Sequence, residues 1–170
     1  MIPYIAFLRA VNVGGTGKLP MSDLKNMCES AGFKAVRTYI ASGNVVFKSD
    51  RSEADVKTSL EEKLHSYAGK PVGVFVRTLA ELTAVLAANP FPDALPNRTL
   101  AFFLSEPPPT GALNDLTGKK DEELGLGKRE IYVHYGEGMG KSKLKIPAAK
   151  MGTARNMNTI AKLVAMATEI

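Results

Sequence analysis

Two glycine-rich stretches, each ending in a Gly-Lys pair, hold the residue types best placed for chemistry. The first is Asn12-Val13-Gly14-Gly15-Thr16-Gly17-Lys18, and the second is Gly136-Glu137-Gly138-Met139-Gly140-Lys141-Ser142-Lys143. Glycine lets successive backbone N–H groups approach a ligand and form a concavity suited to an anion. A following lysine adds a full charge, and a following helix adds the positive end of its dipole. The chemistry so described is phosphate binding. Neither stretch is a nucleotide-triphosphate P-loop, which requires Gly-x-x-x-x-Gly-Lys-Ser/Thr. Counting back five from Gly140 reaches Tyr135, counting back from Gly17 reaches Asn12, and Leu19 stands where the metal-binding hydroxyl belongs. Tight turns at strand ends are the structural alternative for both.

Other reactive constellations are sparse. His134 with Glu137 three residues on offers a base and its orienting carboxylate, against the plainer reading of a hydrogen-bonded structural histidine. There is no Gly-x-Ser-x-Gly elbow and no His-Glu-x-x-His pair, so serine and metal hydrolases are disfavoured and neither metal nor cofactor is expected. Cys28 is the single cysteine, which excludes an internal disulfide and fits a reducing compartment.

Charge sharpens the picture by its position. The 170 residues carry a formal net charge of +5. Residues 1–140 hold 16 basic and 16 acidic side chains, whereas the last 30 carry Lys141, Lys143, Lys145, Lys150, Arg155 and Lys162 against Glu169. Localised positive potential draws anions better than the same charge spread evenly, although a solvated basic face is the plainer reading. Six cations over 22 residues fall short of a strong duplex binder. No apolar run approaches the length of a membrane span, and the run Ile2–Leu8 ends at Arg9 without a basic leader. A soluble cytoplasmic protein is therefore expected.

The elements that must position these residues follow from periodicity. Residues 3–11 are apolar on both alternating faces except at Arg9, predicting a strand inside a sheet. Pro20 suits a helix start, with Met21, Leu24, Met27, Cys28 and Ala31 as its apolar stripe and Gly32 as its end. Strands near 34–41 and 44–48 meet at the turn Ser42-Gly43-Asn44. Ser52 and Asp55 cap a second helix with the buried stripe Val56, Leu60, Leu64 and Tyr67, leaving His65 exposed. A fourth strand spans 72–77, which completes the ferredoxin-like order β-α-β-β-α-β. Thr78 with Glu81 caps a further helix that stops at Asn89-Pro90-Phe91-Pro92. Strands are expected near 99–104 and within 119–135, and two helices close the chain. The expected division is residues 1–78, ferredoxin-like, and residues 79–170, a second α+β subdomain with basic C-terminal helices.

RNA-recognition domains share this element order, but they stack bases on aromatics of the two central strands. The third-strand stretch Gly43-Asn44-Val45-Val46-Phe47 lacks the leading basic residue and has one aromatic. Readout of that kind is not expected, and the second half should cover this sheet face.

Five ordered motifs, Asn12-Val13-Gly14-Gly15, Thr38–Phe47, Ala88-Asn89-Pro90-Phe91, Ser142-Lys143-Leu144 and Thr153-Ala154-Arg155-Asn156, resemble the domain-of-unknown-function family numbered 1697 over essentially the whole chain. The resemblance implies a small bacterial-type cytoplasmic protein with two packed α+β subdomains, and no established activity. Three positions depart from the family pattern: Ala10 where glycine is usual, Ala41 where glutamine is common, and Met157 where tryptophan is common.

Two functions follow. The first is binding of a phosphorylated ligand, a nucleotide or nucleic-acid end, in a basic cleft between the subdomains, with catalysis left open. Its residues are Arg9, Asn12, Gly14, Gly15 and Lys18, with Ser42 and Asn44 orienting, and Lys141, Ser142, Lys143, Arg155 and Asn156 from the second half. Arginine would grip phosphate through paired N–H groups and lysine as a point charge. The alternative is a protein-interaction or structural adaptor using Met151, Met157 and Met166, unless those methionines fill the core. The sequence does not set the oligomeric state.

Overall fold

A computed structural model describes residues 1–13 and 17–170, so Gly14, Gly15 and Thr16 of the first loop lie outside the described residues. The described chain forms two units, Met1–Thr83 with Lys162–Ile170, and Ala84–Ala161.

The first unit holds β1 (Ile2–Leu8), α1 (Met21–Ser30), β2 (Lys34–Tyr39), β3 (Asn44–Ser49), α2 (Glu53–Ala68) and β4 (Val74–Thr78). The strands pair antiparallel in the order β2-β3-β1-β4, the ferredoxin-like arrangement with β1 inside the sheet. Strand alternation puts Tyr4, Ala6 and Leu8 on one face with Val45, Phe47, Val74 and Val76, and these form one core with Leu24, Cys28, Val56, Leu60 and Leu64 of the helices. Each fully buried leucine there contributes about 2 kcal/mol. Phe33 stacks on Phe47 with ring centroids 4.3 Å apart, which closes the α1–β2 connection over the core. Ser52 Oγ accepts from the Asp55 N–H and caps α2. Tyr67 departs from the expected buried stripe. It lies on the last turn of α2, is 46% exposed, and donates to Asp23 Oδ2 at 2.8 Å.

The opposite sheet face is buried as well: Ile5, Phe7, Val46 and Phe75 are at most 5% exposed. Aromatics so placed present no surface for base stacking, which disposes of the RNA-recognition reading.

The second unit is built on β5 (Thr99–Phe103), β6 (Glu123–Leu126), β7 (Glu130–His134) and β8 (Thr153–Asn156), antiparallel in the order β6-β7-β5-β8. The helices α3 (Leu79–Ala87) and α4 (Met157–Glu169) each cross from one unit to the other. Thr78 and Glu81 form a reciprocal capping box at the start of α3: the Thr78 N–H donates to Glu81 Oε1, and the Glu81 N–H donates to Thr78 Oγ1. One helix closes the chain where two were expected. The preceding stretch carries 3-10 turns at Met139–Lys141 and Pro147–Ala149 and then β8. The cause is local: Pro147 lacks an N–H and Gly152 opens the backbone, so a helix cannot propagate into the β-branched Thr153. Among the described residues no helix is long and apolar enough to cross a membrane.

Candidate functional site

The first Gly-Lys loop leaves the sheet where β1 ends, and four chain segments meet there. The Leu8 N–H donates to the Gly43 carbonyl and the Arg9 N–H to the Gly73 carbonyl, both at 2.9 Å, which ties the β1 end to the β2–β3 hairpin and to the lead-in of β4. Gly43 has φ +91°, and a Cβ on it would stand 2.7 Å from Val11 Cγ2, so only glycine fits that crossing. Asn12 binds the neck of the loop. Its Nδ2 donates to the carbonyls of Leu19 at 2.9 Å and Ala41 at 2.7 Å, and its Oδ1 accepts from the Leu19 N–H at 2.7 Å. Left-handed backbone recurs here in residues with side chains: Ala10 at φ +55°, Asn12 at +56° and Ile40 at +49°. Asparagine tolerates that region; alanine and isoleucine pay a steric cost there.

These segments enclose a hollow of about 410 Å³. Arg9, Lys18 and Lys70 line it with Gly17, and Leu64, Tyr67, Pro71 and Val72 form its apolar walls. Lys18 and Lys70 are exposed and Arg9 is half-buried. No carboxylate lines it among the described residues; Asp23 reaches it only as the acceptor of the Tyr67 hydroxyl. The C-terminal end of α2 at Gly69 brings the negative pole of a helix nearby, worth about half a charge, and three full cations outweigh it. A second hollow of about 760 Å³ shares Gly17, Lys18 and Leu19 and is otherwise bounded by residues such as Val13, Pro20, Met21 and Ala41. The segment 17–19 is thus a common wall, with cations on one side and mostly apolar surface on the other.

Of the remaining predicted residues, Ser42, Asn44, Ser142, Arg155 and Asn156 have internal partners. Asn44 is fully buried, and its Nδ2 donates to the Tyr39 carbonyl and to Ser42 Oγ, each at 2.9 Å, which locks the hairpin. In the second unit, Ser142 Oγ donates to Glu122 Oε2. That bond, with the Lys120 N–H donating to Glu122 Oε1, holds the Glu122 carboxyl below its ordinary value. The second Gly-Lys loop follows β7 as expected, but it runs into a single 3-10 turn instead of a helix, so no helix dipole stands behind Lys141. Lys141 and Lys143 are exposed.

Arg155 is 7% exposed, its Nη1 donates to Thr153 Oγ1 and to the Ala154 carbonyl at 2.8 Å each, and burial lowers its guanidinium to about 10. Its register partner is Ala101, so alternation puts Arg155 on the sheet face of Ala101 and Tyr132. Leu144, two residues past Ser142, packs on the opposite face with Leu100 and Val133. Within this unit the Arg155 side chain therefore lies on the sheet face opposite the one that Leu144 packs against. Asn156 Oδ1 accepts from the Thr159 N–H at 2.9 Å and caps α4.

His134 Nδ1 lies 3.3 Å from Thr99 Oγ1 and its ring meets Phe91, which are structural contacts. Cys28 is fully buried and its thiol is pushed up to about 12, so it is a core residue and no nucleophile. Met157 and Met166 fill the core, whereas Met151 is 70% exposed. Lys70 and Tyr67 had no motif to announce them; only the cap Gly69, which turns the chain after α2, carried a hint of where Lys70 would point.

Among the described residues, two four-stranded antiparallel sheets with four helices, the first sheet in ferredoxin-like order, define an α+β protein. The chain belongs to the family of proteins of unknown function DUF1697, whose model matches residues 1–132. It is similar in structure to the conserved bacterial protein SP0830 from Streptococcus pneumoniae, at 27% identity and a TM-score of 0.82 over 98% of both chains. No curated protein matches the chain.

Proposed function

We propose that the chain binds a phosphorylated ligand, a nucleotide or a nucleic-acid end, at the hollow of the first unit. The observation that carries this reading is the grouping of Arg9, Lys18 and Lys70 around about 410 Å³ with no lining carboxylate among the described residues. A phosphate dianion gains about twice the Coulomb energy of a carboxylate from the same cations. The apolar walls and the adjoining hollow across segment 17–19 suit a ligand that extends beyond the phosphate. Asn12, Ser42 and Asn44 serve the site by fixing the loop and hairpin rather than by touching the ligand. We also assign the protein to the cytoplasm, which suits its one buried cysteine.

Calorimetry with nucleoside monophosphates, nucleoside diphosphates and inorganic pyrophosphate tests the reading. At least one should bind, and Lys18→Gln combined with Lys70→Gln should weaken it about 100-fold, the loss of two charge-assisted contacts at about 1.5 kcal/mol each. Equal affinity in the double variant refutes the assignment.

A further inference from the structure

The hollow of the first unit is larger than the phosphate it would hold. It encloses about 410 Å³. A water molecule takes about 30 Å³, so a phosphate group, a few atoms across, leaves most of that space unfilled. Lys18 and Lys70 line the hollow and form no ion pair among the described residues. Beside them the walls are apolar, and Tyr67 is their aromatic member among the described residues.

Tyr67 leaves 46% of its surface exposed. A tyrosine so exposed ordinarily exchanges among its rotamers. Here it is tethered. Its hydroxyl donates to Asp23 Oδ2 at 2.8 Å, which joins the last turn of α2 to the first turn of α1. Hydrogen bonding to Asp23, then burial and the Asp23 charge, raises the phenol above its ordinary value, so the hydroxyl stays a donor at neutral pH. Leu64, three residues earlier on the same helix face, is 1% exposed and lines the hollow as well. The result is a fixed aromatic face, half open to solvent, in the same hollow as two cations.

We infer that the ligand carries a nucleobase and that Tyr67 selects it by stacking. The inference rests on the phosphate reading of this hollow and assigns the part of the ligand beyond the phosphate. Lys18 and Lys70 hold the phosphate, and the base lies on the Tyr67 ring. Stacking uses the π face that every base has, so nucleotides are preferred over sugar phosphates, with little discrimination among bases.

Calorimetry on the full chain compares adenosine 5′-monophosphate with ribose 5-phosphate, which carries the same phosphate and no base. The nucleotide should bind about tenfold more tightly, the gain of one stacked base. Tyr67→Leu should abolish that preference and leave the ribose 5-phosphate affinity unchanged, which also shows that the variant is folded. Tyr67→Phe keeps the ring and loses the bond to Asp23, so it should retain most of the preference. In the wild-type chain the adenine ring-proton resonances should move upfield on binding, as they do over an aromatic face. Lys18→Gln with Lys70→Gln should weaken both ligands, which separates the phosphate contact from the base contact. Equal affinities for the two ligands, a preference that survives Tyr67→Leu, a loss as large in Tyr67→Phe, or unmoved adenine resonances each overturn the base assignment and leave phosphate binding standing. Binding of neither ligand, or unchanged affinity in the lysine variant, overturns the phosphate reading and this inference with it.

Discussion

Asn12→Ala removes three hydrogen bonds at once, the two donated by Nδ2 to Leu19 and Ala41 and the one accepted by Oδ1 from Leu19. Such half-exposed bonds contribute about 0.5–1 kcal/mol each, or about 2 kcal/mol together. Alanine must also hold φ +56° without the local hydrogen bonding that eases asparagine into that region, which adds about 0.5–1 kcal/mol. The expected loss is about 2–3 kcal/mol, and at about 2–4 °C per kcal/mol the melting temperature should fall by about 5–10 °C. Asn12→Gly discriminates the two terms. It loses the same bonds but not the backbone cost, so it should be about 1 kcal/mol less destabilised than the alanine variant. Urea unfolding followed by circular dichroism and tyrosine emission measures both, since the chain has no tryptophan. An alanine variant within about 0.5 kcal/mol of wild type, or a glycine variant worse than alanine, would refute the stapling role.

Ala10→Gly relieves φ +55° at the mouth of the same loop and should stabilise the protein by up to about 1 kcal/mol, after the extra freedom of glycine in the unfolded chain is subtracted. Thermal unfolding of that variant below wild type would contradict the strain argument. Glu122, whose folded carboxyl titrates below its ordinary value, contributes stability above the ordinary carboxylate range and loses it as pH falls through the lowered value. Glu122→Gln should therefore be less stable than wild type at neutral pH, with the gap closing under acid; a gap independent of pH counts against this. Cys28 should resist a thiol reagent in the native state and react at the rate of unfolding in urea, so rapid native labelling would show that its environment is misjudged.

Much of the fold was legible because local chemistry and burial agree. The capping residues Ser52 and Thr78, the terminator Gly32 and the two-sided apolar run of β1 each act over a few residues, and each does so here. The stretch before α4 misled because Lys141–Lys150 looks helical by composition, whereas Pro147, Gly152 and Thr153 decide its path through backbone geometry. The candidate site was legible in half. Arg9 and Lys18 stand at the β1 exit, as the glycine loop suggested, but Lys70 comes from a part of the chain linked to them only by the fold. Polar residues near the loop were the hardest to assign. Asn12, Asn44 and Asn156 have the side chains of ligand-binding residues, and the same donors and acceptors satisfy backbone groups instead.

A crystal of the full chain grown with tungstate, a heavy mimic of phosphate, addresses the functional account most directly. Anomalous density within hydrogen-bonding reach of Lys18 and Lys70, with the Arg9 guanidinium turned toward it, is the predicted result. Density confined to Lys141 and Lys143, with the first unit's hollow empty at the same tungstate concentration, would contradict it.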